Sequence, residues 1–279
     1  MTNRQYDSSQ VASIYIEVRP TPSHELINSI IKQLSKHCPP NSNNKWSRAV
    51  DVGCGSGQAT FKLADYFDQV IGYDISVPQI KEAIERNKFD NVTFKISPGE
   101  EIDLEDNSVQ LITVCEALHF FNIDKFNSKV DSLLSKNGLF ATIGYYPVPK
   151  CIRLDDTTVN LDRISNIFER TFQLWQDHGY PVQVFVERVL NKYRGLNLPF
   201  DKVCYEDTFV TTLRRPATYL IDLINSLGTS ELFRSKYPEK DEILMNGIKK
   251  DLHEIFGTND LSSVEIEASF EYFVICFKK

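Results

Sequence analysis

Apolar and polar positions along this chain alternate between two periods. Short apolar runs predict strands from Arg48 to Gly53, Gln69 to Ile75, Val92 to Ser97, Val109 to Cys115 and Leu139 to Tyr145. Between them apolar residues recur every three or four positions, as in Ile80, Ala83 and Ile84, and again in Phe126, Val130, Leu133 and Leu134. That spacing predicts helices with one buried face. Asn137 and Gly138 read as the C-terminal stop of the second. Apolar strands alternating with one-faced helices predict a parallel sheet covered on both sides.

The flanks carry other patterns. Ser23 is placed to cap a helix holding Leu26, Ile27, Ile30, Ile31 and Leu34, and "HCPPNSNNKW" reads as a connector. Residues 1–45 are therefore expected to form a leader or lid over the sheet edge or a ligand. After the fifth strand, "YYPVPKCIRLDDTTVN" reads as a loop, followed by a long helix from Leu161 to His178. Residues 147–204 are expected to be a cap insertion for substrate within one domain spanning 1–279. The tail predicts a strand at Thr208 to Leu213, helices at Ala217 to Leu227 and Asp241 to Phe256, and a last strand in "VEIEASFEYFVICFKK".

Composition narrows the partners. With 279 residues, 42% of them hydrophobic, the chain can bury one sizeable core. A net charge of -7 argues against a nucleic-acid backbone as partner, because phosphate binding draws on concentrated Lys and Arg. The sequence holds no apolar run of about 18 residues and no N-terminal signal pattern, which predicts a cytoplasmic protein without a membrane span. The six cysteines are scattered without a C-x-x-C pair, so free thiols and no metal site are expected. "EDN" at 105–107 reads as a turn.

The chemistry begins at "AVDVGCGSGQATFKLA", residues 49–64. Gly53, Gly55 and Gly57 follow a strand and precede a helical pattern, where backbone N–H groups can approach a ligand without an intervening Cβ. A dinucleotide fingerprint places its third glycine one residue later, where Gln58 stands, and no Lys-Ser/Thr pair of a P-loop follows. Asp51 would repel a pyrophosphate but attract an ammonium group. Asp74, at the end of the next strand beside Ile75, can accept both hydroxyls of a ribose. A nucleoside joined to a cationic amino acid is S-adenosylmethionine, with S-adenosylhomocysteine as its product.

These residues resemble class I S-adenosylmethionine-dependent methyltransferases, and nearly the whole chain is similar to the trans-aconitate methyltransferase branch. In "YIEVRPTP", Tyr15, Arg19 and Pro20 match that branch's Tyr-x-x-x-Arg-Pro segment, while Thr21 and Pro22 depart from its Tyr-Pro. In "EIDLEDNSVQLITVCEALHFF", Asp106, Ser108, Leu111, Ala117, Leu118, His119 and Phe121 fall in register with its signatures, and Phe120 replaces a tryptophan. "LNLPFDKV" and the stretch around Ser226 also look like its tail. The resemblance implies a Rossmann-like α/β fold, with a seven-stranded, mostly parallel sheet whose last strand is antiparallel. It implies a cofactor site in which Tyr15 and Arg19 close over the ligand. The adenine would rest on the backbone of Gly99 and Glu100, Pro98 standing where an acidic residue is usual.

Cys115 and Glu116 end the fourth strand, where side chains face the ligand crevice. His119 is the most tempting base, its aromatic neighbours equally suiting a packed imidazole, and Glu116 is the other candidate. Arg153, Arg163, Arg170, Arg188 and Arg194 lie in or near the cap, where one or two could clamp an anion. Tyr145, Tyr146, Phe172 and Trp175 could wall a pocket. The expected activity is methylation of a small molecule, above all the carboxylate of an organic acid, by a monomer or weak dimer. A carboxylate arrives ionised at neutral pH and needs no base. Base-assisted methylation of a phenol, amine or lipid-like acceptor, and cofactor binding without turnover, are the alternatives.

Overall fold

The computed structural model describes residues 17–156, 161–193, 195 and 198–279. Among them eight strands form one sheet: β1 (Trp46–Val52), β2 (Phe67–Asp74), β3 (Val92–Ile96), β4 (Val109–Cys115), β5 (Leu134–Tyr145), β6 (Lys150–Arg153), β7 (Asp201–Pro216) and β8 (Glu265–Lys278). The first five are parallel in the order β3-β2-β1-β4-β5. The last strand, β8, runs antiparallel to β5 and carries β7 along its other edge.

The sheet has eight strands instead of seven because Lys150–Arg153, expected as loop, pairs with Ile266–Ser269. β5 reaches only Tyr272 to Lys278 of β8, so without β6 the backbone groups beyond would lack partners on that edge. β7 is longer than the expected Thr208 to Leu213, because all of β8 is available as its template.

Successive strand residues feed opposite layers. Ala49, Leu111 and Leu139 pack with Leu26, Ile27, Ile30 and Leu34 of α1 (His24–His37). Their neighbours Val50, Ile112 and Phe140 pack with Phe126, Val130 and Leu133, which belong to a helix on the other face. Each buried α1 side chain contributes roughly 1.5–3 kcal/mol, and Ser23 caps the helix by accepting from the Leu26 amide. The remaining helices are α2 (Val77–Arg86), α3 (Ile123–Leu133), α4 (Arg163–Asp177), α5 (Val182–Leu190), α6 (Tyr219–Asn225), α7 (Gly228–Lys236) and α8 (Pro238–Phe256). Among the described residues, none is long and apolar enough to cross a membrane.

Two local expectations change. Asn137 and Gly138 do not stop α3: the helix ends at Leu133 and Leu134 already pairs with Val109, leaving Asn137 at φ 63° within an irregular β5. No α-helix follows the glycine turn either, only a 3-10 turn at Thr60–Leu63. Phe67 pairs with Trp46 at the far end of β1, about 20 Å back at ~3.3 Å per residue. Nine residues separate Gly57 from Phe67 and would span about 14 Å as an α-helix, so the chain takes a looser path.

Candidate active site

The glycine turn is tied to the tip of β2. Gly53 and Cys54 donate their amides to the Tyr73 carbonyl at 2.8 and 3.0 Å, which brings residues 53–55 beside Asp74. Asp74 then accepts from the Gly55 amide through Oδ2 and from the Ser76 amide through Oδ1, both at 2.8 Å. Gly55 sits at φ 53°, where a side chain is strained, and a Cβ there would meet only Gln79 Oε1 at 3.7 Å. Packing does not demand that glycine; the cradle it leaves open over the turn fits a ligand pressed onto backbone. Gly53, at φ 68°, has no room for a Cβ, which would lie 2.4 Å from that of Ala117.

Asp51 is fully buried beneath this cradle. Its oxygens accept from Thr60 Oγ1 at 2.6 Å and Thr113 Oγ1 at 2.7 Å. Burial pushes its pKa up to about 6, against the pull of the two hydroxyls and with a smaller push from Asp74. These threonines were not singled out from sequence; only their neighbours' apolar pattern marks the elements that carry them.

Two clefts meet at the strand tips. Asp51, Gly53, Gly55 and Gln58 line the first, together with Pro20 and Pro22 of the leader. Phe120, Phe172, Trp175 and Val186 help line the second, with Leu227 and Thr229 from the start of α7. Glu116 and Tyr145 line both. Cys115 faces the first cleft alone, and its thiol is held well above the ordinary range by burial and the nearby Glu116 and Asp51, which removes it as a nucleophile.

Glu116 adopts φ 56°, uncommon for a residue with a side chain. Its Oε1 accepts the Tyr145 amide at 2.6 Å. Burial raises its pKa to about 8, outweighing that amide and the Arg19 charge. Arg19 lines the second cleft, with Nη1 donating to Tyr145 Oη at 3.2 Å and Nη2 to the Ser226 carbonyl at 3.4 Å.

His119 also lines the second cleft, but its chemistry is that of a packed group. Nδ1 lies 3.0 Å from Tyr193 Oη, and Arg188 donates to its carbonyl at 3.0 Å. Burial, with the Arg188 charge, lowers the imidazole pKa to about 3. A neutral ring of such low basicity is a weak proton acceptor.

Several expected residues lie apart from the clefts. Gly57 is backed against Phe61 and Phe94, Ile75 is largely exposed, and Gly99 packs on Val52. Glu100 accepts the Asn122 amide at 2.9 Å. Tyr15 and Arg194 lie outside the described residues. None of the other cap arginines lines the second cleft: Arg153 pairs with Asp155, Arg163 with Glu254 and Arg170 with Asp251, while Arg188 holds the His119 carbonyl. Val182, Val186 and Val189 of α5 do line it; their i, i+4, i+7 spacing was a legible signal that went unread.

A glycine turn tied to the strand tips of a mostly parallel sheet, with a second cleft opening beside it, is the layout of the Rossmann-like class. Residues 43–188 match the family described as a methyltransferase domain. A Dictyostelium discoideum protein described as a methyltransferase is 30% identical over 270 residues, covering 96% of this chain and 93% of that one. A Saccharomyces cerevisiae protein described as an S-adenosylmethionine-dependent methyltransferase, CRG1, is 33% identical over 146 residues, covering 50% of this chain and 45% of its own. A solved structure described as a type II methyltransferase from Anaeromyxobacter dehalogenans shares the fold at TM-score 0.67 and 20% identity, covering 93% of this chain and 97% of that one.

The chain belongs to the methyltransferase-domain family. It is an S-adenosylmethionine-dependent methyltransferase.

Proposed function

We propose that the enzyme methylates the carboxylate of a small organic acid, giving a methyl ester, and that it belongs to the trans-aconitate methyltransferase-like branch. The branch rests on the Asp106, Ser108 and Ala117–His119 matches. The observation that carries the acceptor reading is the junction itself: the cradle opens at Glu116 and Tyr145 directly onto a cleft walled by Phe120, Phe172, Trp175 and valines.

S-adenosylmethionine supplies a methyl group on a sulfonium, already activated for displacement. The chain's own residues bind, align and dry the reactants. Asp51 draws the ammonium end, Gly53 and Gly55 present backbone, and Asp74, next to Ile75, takes the ribose hydroxyls. The backbone at Gly99 and Glu100 supports the adenine, with Cys115 and Glu116 at the reacting end. Tyr15 and Arg19 close the leader, residues 1–45, over the amino-acid end. Residues 147–204 act as the substrate cap.

An anionic acceptor and a cationic donor lose both charges as the bond forms, so an apolar wall favours this transfer over methylation of a neutral amine. A carboxylate needs no proton removed, which agrees with a weakly basic His119. The acidic overall charge supports a small-molecule acceptor over nucleic acid. We infer a cytoplasmic monomer or weak dimer.

The test is methyl transfer from tritiated S-adenosylmethionine to a panel of mono-, di- and tricarboxylic acids, phenols and amines, followed by mild base. Label released as methanol identifies an ester; base-stable label rejects the carboxylate reading. One observation favours a second reading, methylation of a phenol or other acceptor that must lose a proton: at a pKa of about 8, Glu116 is a competent base.

A further inference from the structure

Glu116 stands where the two clefts join, and one of its oxygens is committed. Oε1 accepts the Tyr145 amide at 2.6 Å, while Oε2 takes no hydrogen bond from any described residue. Its φ of 56° is held by the ladder bond from its own amide to the Ile143 carbonyl at 3.0 Å. The side chain is therefore aimed by the sheet tip rather than by a salt bridge.

We propose that Glu116 works as a neutral carboxyl group that admits the acceptor's carboxylate to the junction and donates a hydrogen bond to its spectator oxygen. This rests on the carboxylate reading of the acceptor. An ionised Glu116 would face the incoming anion across a poorly solvated cleft and repel it. In the protonated form, Oε2–H is a donor where an anion needs one.

The surroundings favour that form. Among the described residues, the titratable groups facing Glu116 are Arg19 from the leader, Cys115 on β4, Tyr145 on β5 and Tyr193 beyond α5. His119 shares the second cleft and Asp51 the first. Arg19 is the cation among these described groups, and it donates to Tyr145 Oη and the Ser226 carbonyl. Burial outweighs Arg19, leaving the Glu116 pKa at about 8.

In the transfer, a lone pair of the acceptor's free oxygen forms the O–CH3 bond as the S–CH3 bond breaks and its electron pair returns to sulfur. The proton on Glu116 stays in place. Glu116 is thus a positioning and selecting residue for the acceptor, with no net proton transfer.

The experiment has two arms. Glutamate labelled with 13C at the side-chain carboxyl is titrated in the full-length protein saturated with S-adenosylhomocysteine, the Glu116 signal being assigned by its loss in Glu116→Gln. A protonated carboxyl up to about pH 8 is expected; an ionised one at pH 7 overturns the proposal while leaving the methylation reading intact. In the second arm, KM for the acid turned over best in the panel is followed from pH 6.5 to 9.

It should rise at least about tenfold between pH 7 and 9, the ratio of protonated fractions for a group of pKa near 8 in the free protein, which the donor's sulfonium lowers. In Glu116→Gln that rise should be absent. A rate that instead climbs through pH 8, with Glu116→Gln inactive, makes Glu116 a base and overturns the proposal. Label appearing only on phenols or amines overturns the underlying acceptor reading, and the proposal with it.

Discussion

Asp74 Oδ2 accepts the Gly55 amide at 2.8 Å, so the tip of β2 and the glycine turn form one unit rather than two contributors to a site. Asp74→Ala should remove that bond, the one to Ser76 and the ribose partner together. Cofactor affinity measured by calorimetry should fall more than about 100-fold, as expected for several charge-assisted bonds, with the far-ultraviolet spectrum retained. Gly55→Ala should also weaken binding, because a left-handed side-chain residue costs roughly 1–2 kcal/mol and its Cβ enters the cradle. Unchanged affinity in Asp74→Ala would remove the site from this position.

Asp51 gives cofactor binding a pH dependence. In the free protein its pKa is about 6, and a bound ammonium favours the ionised form. The dissociation constant should therefore rise as pH falls through about 6, approaching tenfold per unit. Asp51→Asn should bind weakly with a flat profile. A wild-type constant that is level between pH 5 and 7 would contradict the ammonium role.

His119→Gln should keep most of the turnover. The imidazole is already neutral and held by Tyr193, so the change should lower kcat less than about tenfold, below the usual 100-fold loss of a general base. A larger loss accompanied by an inflection between pH 6 and 7 would restore His119 as the base.

The half-buried Phe172 tests the second cleft independently of the first. Phe172→Ala should raise KM for the acceptor about tenfold through lost apolar contact, while cofactor affinity stays within twofold by the same calorimetry. Equal losses of both affinities would mean that the clefts are not separate subsites. Trp175 is a poorer probe, since at 1% exposure its truncation would cost about 3–5 kcal/mol of stability.

The Glu116 carboxyl should also make folding stability pH-dependent. Its pKa is about 8 in the folded chain against an ordinary value of 4.5, so folding takes up a proton between those limits. The stability is fully present below pH 4.5 and is lost as pH rises through 8, with a slope near 1.4 kcal/mol per unit in between. Urea denaturation of Glu116→Gln should show a shallower slope from pH 5 to 8 than the wild type. Identical slopes would place the wild-type group at its ordinary value.

Much of the parallel half was legible because its strands are buried on both faces. Val50, Ile71 and Ile112 lie in mostly apolar stretches that the hydrophobic pattern detects. Lys150–Arg153 was not legible: four residues are too short for a period, and they are strand only because β8 presents an uncovered edge. The turn at Thr60–Leu63 was misread as an α-helix because its local pattern suits one, whereas the return distance to Trp46 overrides propensity.

From the sequence alone came the cofactor class: the spacing of Gly53, Gly55 and Gly57 with Asp51 and Asp74 is a local pattern, set by what backbone and carboxylates can offer one ligand. The reactivity of the junction was decided only in three dimensions. Thr60 and Thr113 on Asp51, Tyr193 on His119, and the position of Glu116 between two clefts all join residues distant in the chain. Protonation depends on burial and on neighbours brought in by folding, so no reading of spacing could make His119 a weak base or Glu116 a weak acid.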